Sequence, residues 1–198
     1  MSDVFGGVDV GASATKLVLV DEAGEAAAEV VRPSGVDYAA TARACLAEAC
    51  SLIGLSGGPA ATVSTGYGRA NVDFAQDART EIHCHGVGCF HQLQQAVSII
   101  DIGGQDNKII RLDERGRRLD FAMNRKCAAG TGAFIEEIAL RLDLELGELN
   151  ALAATAEKSV RLGSFCTVFA KTEILSHLRN GEPVSAIVRA AFESVVER

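Results

Sequence analysis

Two stretches of this chain, GVDVGASATKLVLVDEAG at residues 7–24 and IIDIGGQDNKIIRLDERG at residues 99–116, align without a gap at an offset of 92 residues. The identical pairs are Asp9/Asp101, Gly11/Gly103, Lys16/Lys108, Asp21/Asp113, Glu22/Glu114 and Gly24/Gly116. Apolar positions also match on both sides of the glycine turn, as with Val8 and Ile100. Because coincidence explains such a match poorly, we infer that the chain contains an internal duplication.

Each copy has the pattern of a strand, a tight glycine turn, a second strand and an Asp-Glu-x-Gly hairpin loop. A third strand is expected in each copy, near residues 26–31 and 118–123. Helix-like segments are predicted at residues 38–52, 132–142, 146–156, 168–178 and 184–196. The sequence therefore predicts a duplicated α/β fold, with a first half at residues 1–97 and a second half at residues 98–198.

Composition limits the possible partners. The chain has 198 residues, 48% hydrophobic and 23% charged, with a net charge of −7. This charge argues against a nucleic-acid partner, which needs a concentrated basic surface. No stretch reaches the roughly 20 apolar residues of a membrane span, and no leader is visible at the N-terminus. We expect a cytoplasmic protein without a membrane partner, whose six cysteines are metal ligands, redox groups or buried hydrophobic residues.

The repeated turns suggest a nucleotide site. In each copy an aspartate near a strand end precedes glycine, and a turn of exposed N–H groups can cradle phosphate oxygens. An aspartate beside such a turn suits Mg²⁺ or its waters. A single copy is better explained as an ordinary hairpin, in which Asp and Gly are common. Two copies favour phosphate binding.

Two cysteines stand in similar settings. Cys127 precedes a glycine-rich turn that leads into a predicted helix with Thr131 as a candidate N-cap, and Cys166 also precedes a helix-like segment. Unpaired N–H groups at a helix start lower a thiol pKa and favour an anionic ligand. A 4Fe–4S cluster takes four thiolates, so a cluster would require a symmetric dimer. The alternative is two buried or incidental cysteines.

The two turns resemble the phosphate loops of the superfamily that contains acetate and sugar kinases, actin and the heat-shock ATPases. This resemblance implies a duplicated actin-like, ribonuclease H-like fold in which ATP and Mg²⁺ bind between two halves. Asp9 and Asp101 are the implied catalytic carboxylates. The implied loop residues are Asp9, Gly11, Ala12, Ser13, Ala14, Thr15 and Lys16 in the first loop, and Asp101, Gly103, Gly104, Gln105 and Asp106 in the second.

A narrower resemblance covers essentially the whole chain. The segments VDVGASATK, ATVSTGYGR, TEIHCHG, IDIGGQD, NRKCAAGTGAF and SFCTVFAKTE are similar to those of ATP-dependent activators of 2-hydroxyacyl-CoA dehydratases and of benzoyl-CoA reductase ATPase subunits. In that family two cysteines of each subunit bind one 4Fe–4S cluster across a homodimer axis, and Cys127 and Cys166 match them. The resemblance also implies a dehydratase or reductase as electron acceptor and reduced ferredoxin or flavodoxin as donor.

The remaining candidates are weaker. Cys45 and Cys50 lie in an Ala-rich predicted helix, and their five-residue spacing puts them on different faces, which favours packing roles. Glu81 falls where the family has a segment facing the cleft, so it is a candidate to orient the attacking water. A zinc site is an alternative for a nearby run, although the spacing fits no common finger pattern. That run is His83, Cys84, His85, Cys89 and His91.

Two other functions remain open at this stage. A small-molecule kinase of the same superfamily would use both loops without needing Cys127 or Cys166. A truncated, non-catalytic binding or dimerisation fragment is the second alternative. By resemblance, a Thr-Gly-Gly adenosine loop is expected in the second half to match Thr65–Gly68 in the first, and none is found before Arg198. The second half is therefore expected to be incomplete at its C-terminus.

Overall fold

The computed structural model describes residues 3–124, 131–162 and 167–197. The strands are β1 (Phe5–Val10), β2 (Ala14–Val20), β3 (Ala26–Pro33), β4 (Ala61–Thr65), β5 (Asp77–Ala78), β6 (Val97–Ile102), β7 (Asn107–Leu112) and β8 (Arg118–Asn124). The helices are α1 (Tyr38–Leu52), α2 (Glu81–Leu93), α3 (Gly132–Leu142), α4 (Leu146–Ala154), α5 (Thr167–Arg179) and α6 (Val184–Val196), with a short 3-10 turn at Arg69–Asn71.

The first sheet has the strand order β3-β2-β1-β4-β5. Strand β1 pairs antiparallel with β2 and parallel with β4. In this register Asp9 lies beside Lys16 on one neighbouring strand and beside Thr65 on the other. Strand pairing therefore brings a carboxylate, an ammonium and a hydroxyl group to the same end of the sheet.

One face of this sheet packs against α1. Apolar residues at every second position of the strands face the same way and are buried there. These residues are Val8, Val10, Leu17, Leu19 and Val30. Helix α1 begins after Asp37, whose carboxylate accepts a 2.9 Å hydrogen bond from the N–H of Ala40. A capped amphipathic helix on an alternating sheet thus forms the first core.

Two cysteines of α1 pack in this core. Cys45 of α1 is fully buried, and Cys50 packs against the same cluster. Burial raises the pKa of both thiols, which disfavours the thiolate form. The expected packing roles are confirmed, because both side chains contact one core.

The second sheet has the order β6-β7-β8. Its hairpin between β7 and β8 repeats the hairpin between β2 and β3 in atomic detail. In each hairpin one aspartate, Asp21 or Asp113, accepts two backbone N–H bonds of 2.9 Å. The N–H groups of Arg117 and Arg115 thereby hold the pKa of Asp113 below its ordinary value. These aspartates of the repeat therefore have a structural role.

Both hairpin glycines pack against α2. Gly24 and Gly116 have φ angles of +86° and +72°, which glycine adopts without strain. A Cβ on Gly24 would lie 3.7 Å from the His91 ring, and one on Gly116 would lie 2.6 Å from the Phe90 ring. The C-terminal half of α2 therefore contacts a hairpin from each copy of the repeat.

Helices α3, α5 and α6 form a separate core, and Leu149 of α4 packs beside it against Ala139 and Val188. The buried residues of the core are Phe134, Ile138, Ala170, Ile174, Ile187, Ala191 and Val195. Lys171 Nζ lies 2.9 Å from Glu137 Oε1 and links α5 to α3. This ion pair adds a polar link to the apolar packing between α3 and α5.

The described residues group into two compact units. One contains residues 1–99 and 110–121, and the other contains residues 100–109 and 122–198. The predicted evolutionary boundary at residue 97 stays a prediction, because these units reflect packing. No helix in the described part of the chain is long and apolar enough to cross a membrane.

Candidate functional site

The turn between β1 and β2 is the first predicted phosphate loop. The N–H of Gly11 donates to the carbonyl oxygen of Ala14 at 3.0 Å. Ala12 and Ser13 are exposed at its tip. A Cβ on Gly11 would lie 2.8 Å from the Ala14 carbonyl oxygen, so this close approach requires glycine.

The turn between β6 and β7 has the same construction. The N–H of Gly103 donates to the carbonyl oxygen of Asp106 at 2.8 Å. These residues are the repeat equivalents of Gly11 and Ala14. Gly104 is partly buried and Gln105 is exposed. The two predicted loops therefore share one backbone hydrogen bond at equivalent positions.

An aspartate–lysine pair accompanies each turn. Lys16 Nζ lies 2.8 Å from Asp9 Oδ2, and Lys108 Nζ lies 3.1 Å from Asp101 Oδ2. The environments differ sharply, because the Lys16 side chain is 54% exposed whereas that of Lys108 is 1% exposed. The pairing is repeated, but only the first lysine is open to solvent.

Ser34, directly after β3, anchors the first loop. Its hydroxyl donates to the Gly11 carbonyl oxygen at 2.6 Å, and its N–H donates to the Ser13 carbonyl oxygen at 2.9 Å. The Thr15 hydroxyl lies 2.9 Å from Ser34 Oγ, and both residues are fully buried. Thr15 therefore faces the interior, which leaves its backbone as its only means of contacting a ligand. No sequence pattern marked Ser34.

A pocket of about 320 Å³ opens where β1 and β4 end. It is lined by Asp9, Thr65, Glu81, Cys84, His85, Gly88, Cys89 and Gln92. Asp9 and Glu81, two of the predicted catalytic residues, thus face one cavity. Helix α2 supplies most of the lining, beginning with Glu81 just after its cap Thr80.

Two buried oxygen atoms at this pocket have no hydrogen-bond partner among the residues that the structure describes. These atoms are Asp9 Oδ1 and Thr65 Oγ1. The next residue, Gly66, has φ +89°, and a Cβ on it would collide with Asp9 Oδ1 and the Val10 carbonyl. Unpaired buried oxygens are costly unless a ligand satisfies them. A hydrated Mg²⁺ fits these atoms, because carboxylate and hydroxyl oxygens are hard donors.

The second loop is bonded to the start of α3. The N–H groups of Gly132 and Ala133 donate to the carbonyl oxygens of Gly103 and Gly104 at 2.9 and 3.2 Å. The Thr131 hydroxyl donates to the Gly104 carbonyl at 3.0 Å. Thr131 occupies the predicted N-cap position, but its side chain bonds to the loop and makes no cap bond. Loop and helix are therefore directly connected.

Cys127 and Cys166, the predicted cluster ligands, lie outside the described residues. Helix α3 begins five residues after Cys127, and α5 begins immediately after Cys166. Along the sequence, each cysteine therefore precedes the start of a described helix.

The run of His and Cys residues at 83–91 lies on α2. Within the described residues, no group of three or more His, Cys, Asp or Glu side chains is placed to hold a metal ion. The zinc alternative for this run therefore lacks a ligand set. Cys84, His85 and Cys89 instead line the pocket beside Asp9.

The duplicated turns, each with an aspartate–lysine pair, define an actin-like α/β protein of the ATPase type. Residues 7–198 match the BadF/BadG/BcrA/BcrD ATPase family, and the chain belongs to that family. It is 40% identical over 193 residues to the activator of lactoyl-CoA dehydratase from Anaerotignum propionicum, covering 97% of this chain and 74% of that relative.

Solved structures of two further relatives are similar. The (R)-2-hydroxyglutaryl-CoA dehydratase component A of Acidaminococcus fermentans is 34% identical with a TM-score of 0.89, covering 100% of this chain and 76% of that one. The activator of the 2-hydroxyisocaproyl-CoA dehydratase from Clostridium difficile, with bound ADPNP, is 35% identical with a TM-score of 0.90, covering 100% and 73%. These comparisons confirm the predicted fold class and family.

Proposed function

We propose that the chain is one subunit of a homodimeric iron–sulfur ATPase. ATP binding and hydrolysis drive the transfer of one electron from a bridging 4Fe–4S cluster to a partner of the 2-hydroxyacyl-CoA dehydratase or benzoyl-CoA reductase type. Family membership and the named activities of the relatives support this proposal. Reduced ferredoxin or flavodoxin is the proposed donor, and the cytoplasm is the proposed location.

The observation that carries the proposal is the repeated turn with its aspartate–lysine pair. Backbone N–H groups of both loops bind phosphate oxygens, and the exposed Lys16 adds a positive charge. Asp9 and Asp101 hold Mg²⁺ or its waters, and Glu81 orients the attacking water from the pocket beside Asp9. The other proposed loop residues are Gly11, Ala12, Ser13, Ala14, Gly103, Gly104, Gln105 and Asp106, with Thr15 acting through its backbone.

The connection between the second loop and α3 supports coupling. A change in the phosphate contacts of this loop moves the carbonyls of Gly103 and Gly104, which accept hydrogen bonds from the start of α3. That helix follows Cys127 by five residues. Through these hydrogen bonds, loss of the γ-phosphate changes the position of the segment that contains a proposed cluster ligand.

The proposed ligand set is Cys127 and Cys166 of each subunit. A 4Fe–4S cluster, which supplies one-electron chemistry when bound, needs four thiolates, and two subunits provide them. Each cysteine precedes a helix start, and the positive ends of α3 and α5 favour an anionic group nearby. The Glu137–Lys171 pair links these two helices within one subunit.

Anaerobic reconstitution with iron and sulfide tests this function. We expect a brown protein with about four irons per dimer and ATPase activity with Mg²⁺. Cys127→Ser and Cys166→Ser should each remove the iron. Cys50→Ser is the matched control, because Cys50 packs against the first core and should leave the iron content unchanged.

A colourless protein after reconstitution, with ATP-dependent phosphorylation of a small molecule, would contradict the proposal. That result would favour the kinase alternative, which uses the same loops without the two cysteines. Iron retained in both cysteine variants would show that other residues hold the cluster.

A further inference from the structure

Lys16 and Lys108 are equivalent in the repeat but differ in their partners. Lys16 pairs with one described carboxylate, that of Asp9, and about half of its side-chain surface is accessible to water. Lys108 pairs with two carboxylates and is almost fully buried. The difference has a sequence origin, because the position of Asp106 in the second copy is occupied by Ala14 in the first.

The ammonium group of Lys108 lies between two acidic side chains. Its Nζ is 2.5 Å from Asp106 Oδ1 and 3.1 Å from Asp101 Oδ2. The Asp106 carboxylate is folded beneath the turn, since a Cβ on Gly103 would lie 2.8 Å from its Oδ1. Among the described residues, these contacts place one ammonium group beside two carboxylates.

Two carboxylates that both lie close to the position of the Lys108 ammonium could bind a hard divalent cation there. Without a positive charge between them they would also repel each other, most strongly where water is excluded. Lys108 occupies this position and neutralises one of the two charges. A second cation in the same place would meet the ammonium at short range, so the native loop disfavours it.

We propose that Lys108 is a positioning residue that keeps Asp101 and Asp106 from capturing a divalent cation in the absence of nucleotide. Mg²⁺ then binds at this loop only together with nucleotide phosphates, which supply the additional oxygen ligands. Lys16, which is exposed, contacts the anionic ligand itself. This inference rests on the proposed function of the second loop as a phosphate loop.

Binding of Mn²⁺ to the full chain without nucleotide, measured by electron paramagnetic resonance, tests the proposal. Lys108→Met removes the charge at similar length and should bind one Mn²⁺ at least about tenfold more tightly than the native protein. The double variant Lys108→Met/Asp106→Asn should lose this gain, because one carboxylate is gone. Lys108→Arg should bind as the native protein does.

Lys158→Met is the matched control, because Lys158 pairs with one partly exposed carboxylate, that of Glu182, and belongs to neither loop. It should leave the nucleotide-free Mn²⁺ affinity unchanged. An equal gain in Mn²⁺ affinity from Lys158→Met, or no gain from Lys108→Met, would overturn the proposal. Failure of the native protein to bind ADPNP would contradict the proposed function. It would not affect the Mn²⁺ measurement, which contains no nucleotide.

Loss of a buried ammonium can also unfold the protein, so thermal melting gives a second measurement. We expect Mn²⁺ to raise the melting temperature of Lys108→Met and of Lys108→Gln more than that of the native chain, since the cation replaces the missing charge. Variants that Mn²⁺ fails to stabilise would overturn the assignment of Lys108.

Discussion

Asp9 combines two different environments in one carboxylate. Its Oδ2 accepts a hydrogen bond from Lys16 Nζ, while its Oδ1 is buried without a partner against Gly66. The backbone conformation at Gly66, with φ +89°, leaves room for that oxygen. The proposed binding of Mg-nucleotide at the first loop should therefore depend on a residue that carries no functional group.

Gly66→Ala tests this dependence. We expect at least about a tenfold loss of ADPNP affinity, because the new Cβ collides with Asp9 Oδ1 and must displace the carboxylate. Isothermal titration calorimetry with Mg²⁺ present measures the loss. Gly58→Ala is the control: Gly58 has φ +75° but no atom within 4 Å of an added Cβ, so it should cost about 1–2 kcal/mol of stability and no affinity. Equal affinity losses in both variants would mean that backbone strain, and not the carboxylate, is responsible.

At the same scale, the sequence showed which residues correspond but not how they pair. The repeat aligned Asp9 with Asp101 and Lys16 with Lys108, and the structure adds the ion pair within each copy. The contrast in lysine burial could not be predicted, because it depends on how the chain packs around each loop. Ser34 was missed because a single serine after a strand has no distinctive pattern.

Among the elements, the helices with clear apolar periodicity were predicted well. Helices α1, α3 and α6 begin and end where expected, while α4 is two residues shorter and α5 is one residue longer at each end. Helix α2 was missed because Gly86, Gly88 and its His and Cys residues obscure the periodicity. Thr80 and Glu81 were usable signals, since Thr80 accepts a hydrogen bond from the His83 N–H as an N-cap.

The link between α3 and α5 should depend on pH. Hydrogen bonding from Lys171, reinforced by the nearby Arg141, holds the pKa of Glu137 below its ordinary value. A lowered carboxyl pKa stabilises the fold at neutral pH, and this stabilisation is lost as pH falls through the lowered pKa. Glu137→Gln should therefore reduce the free energy of unfolding at pH 7 by up to about 1 kcal/mol, since both side chains are one-third exposed.

Urea unfolding at pH 7 and in acid measures this effect. The difference between Glu137→Gln and the native protein should shrink in acid, where Glu137 is protonated. Glu136→Gln, on the exposed face of the same helix, is the control and should be close to neutral at both pH values. A difference that persists unchanged in acid would argue for a packing defect instead of a lost ion pair.

For the whole molecule, the two cores predict separable responses to mutation. Leu17 is buried in the sheet core beneath α1, and Ile187 is buried in the helical core. Truncating either residue to alanine should cost about 2–5 kcal/mol locally. Hydrogen exchange followed by mass spectrometry should show lost protection mainly in β1–β3 and α1 for Leu17→Ala, and mainly in α3–α6 for Ile187→Ala. Loss throughout the chain in both variants would indicate a single cooperative unit.

Because α2 contacts both hairpins, cutting the gene at the repeat boundary would separate the helix from one of its two partners. A polypeptide ending at the repeat boundary, residue 97, would retain α2 but lose the hairpin whose Gly116 lies against Phe90. A piece that starts after the boundary would carry that hairpin without its helix. Duplication supplied two copies of one pattern, but the helix of the first copy now serves both. The two halves of the gene are therefore no longer interchangeable modules, and neither is expected to be expressed intact alone.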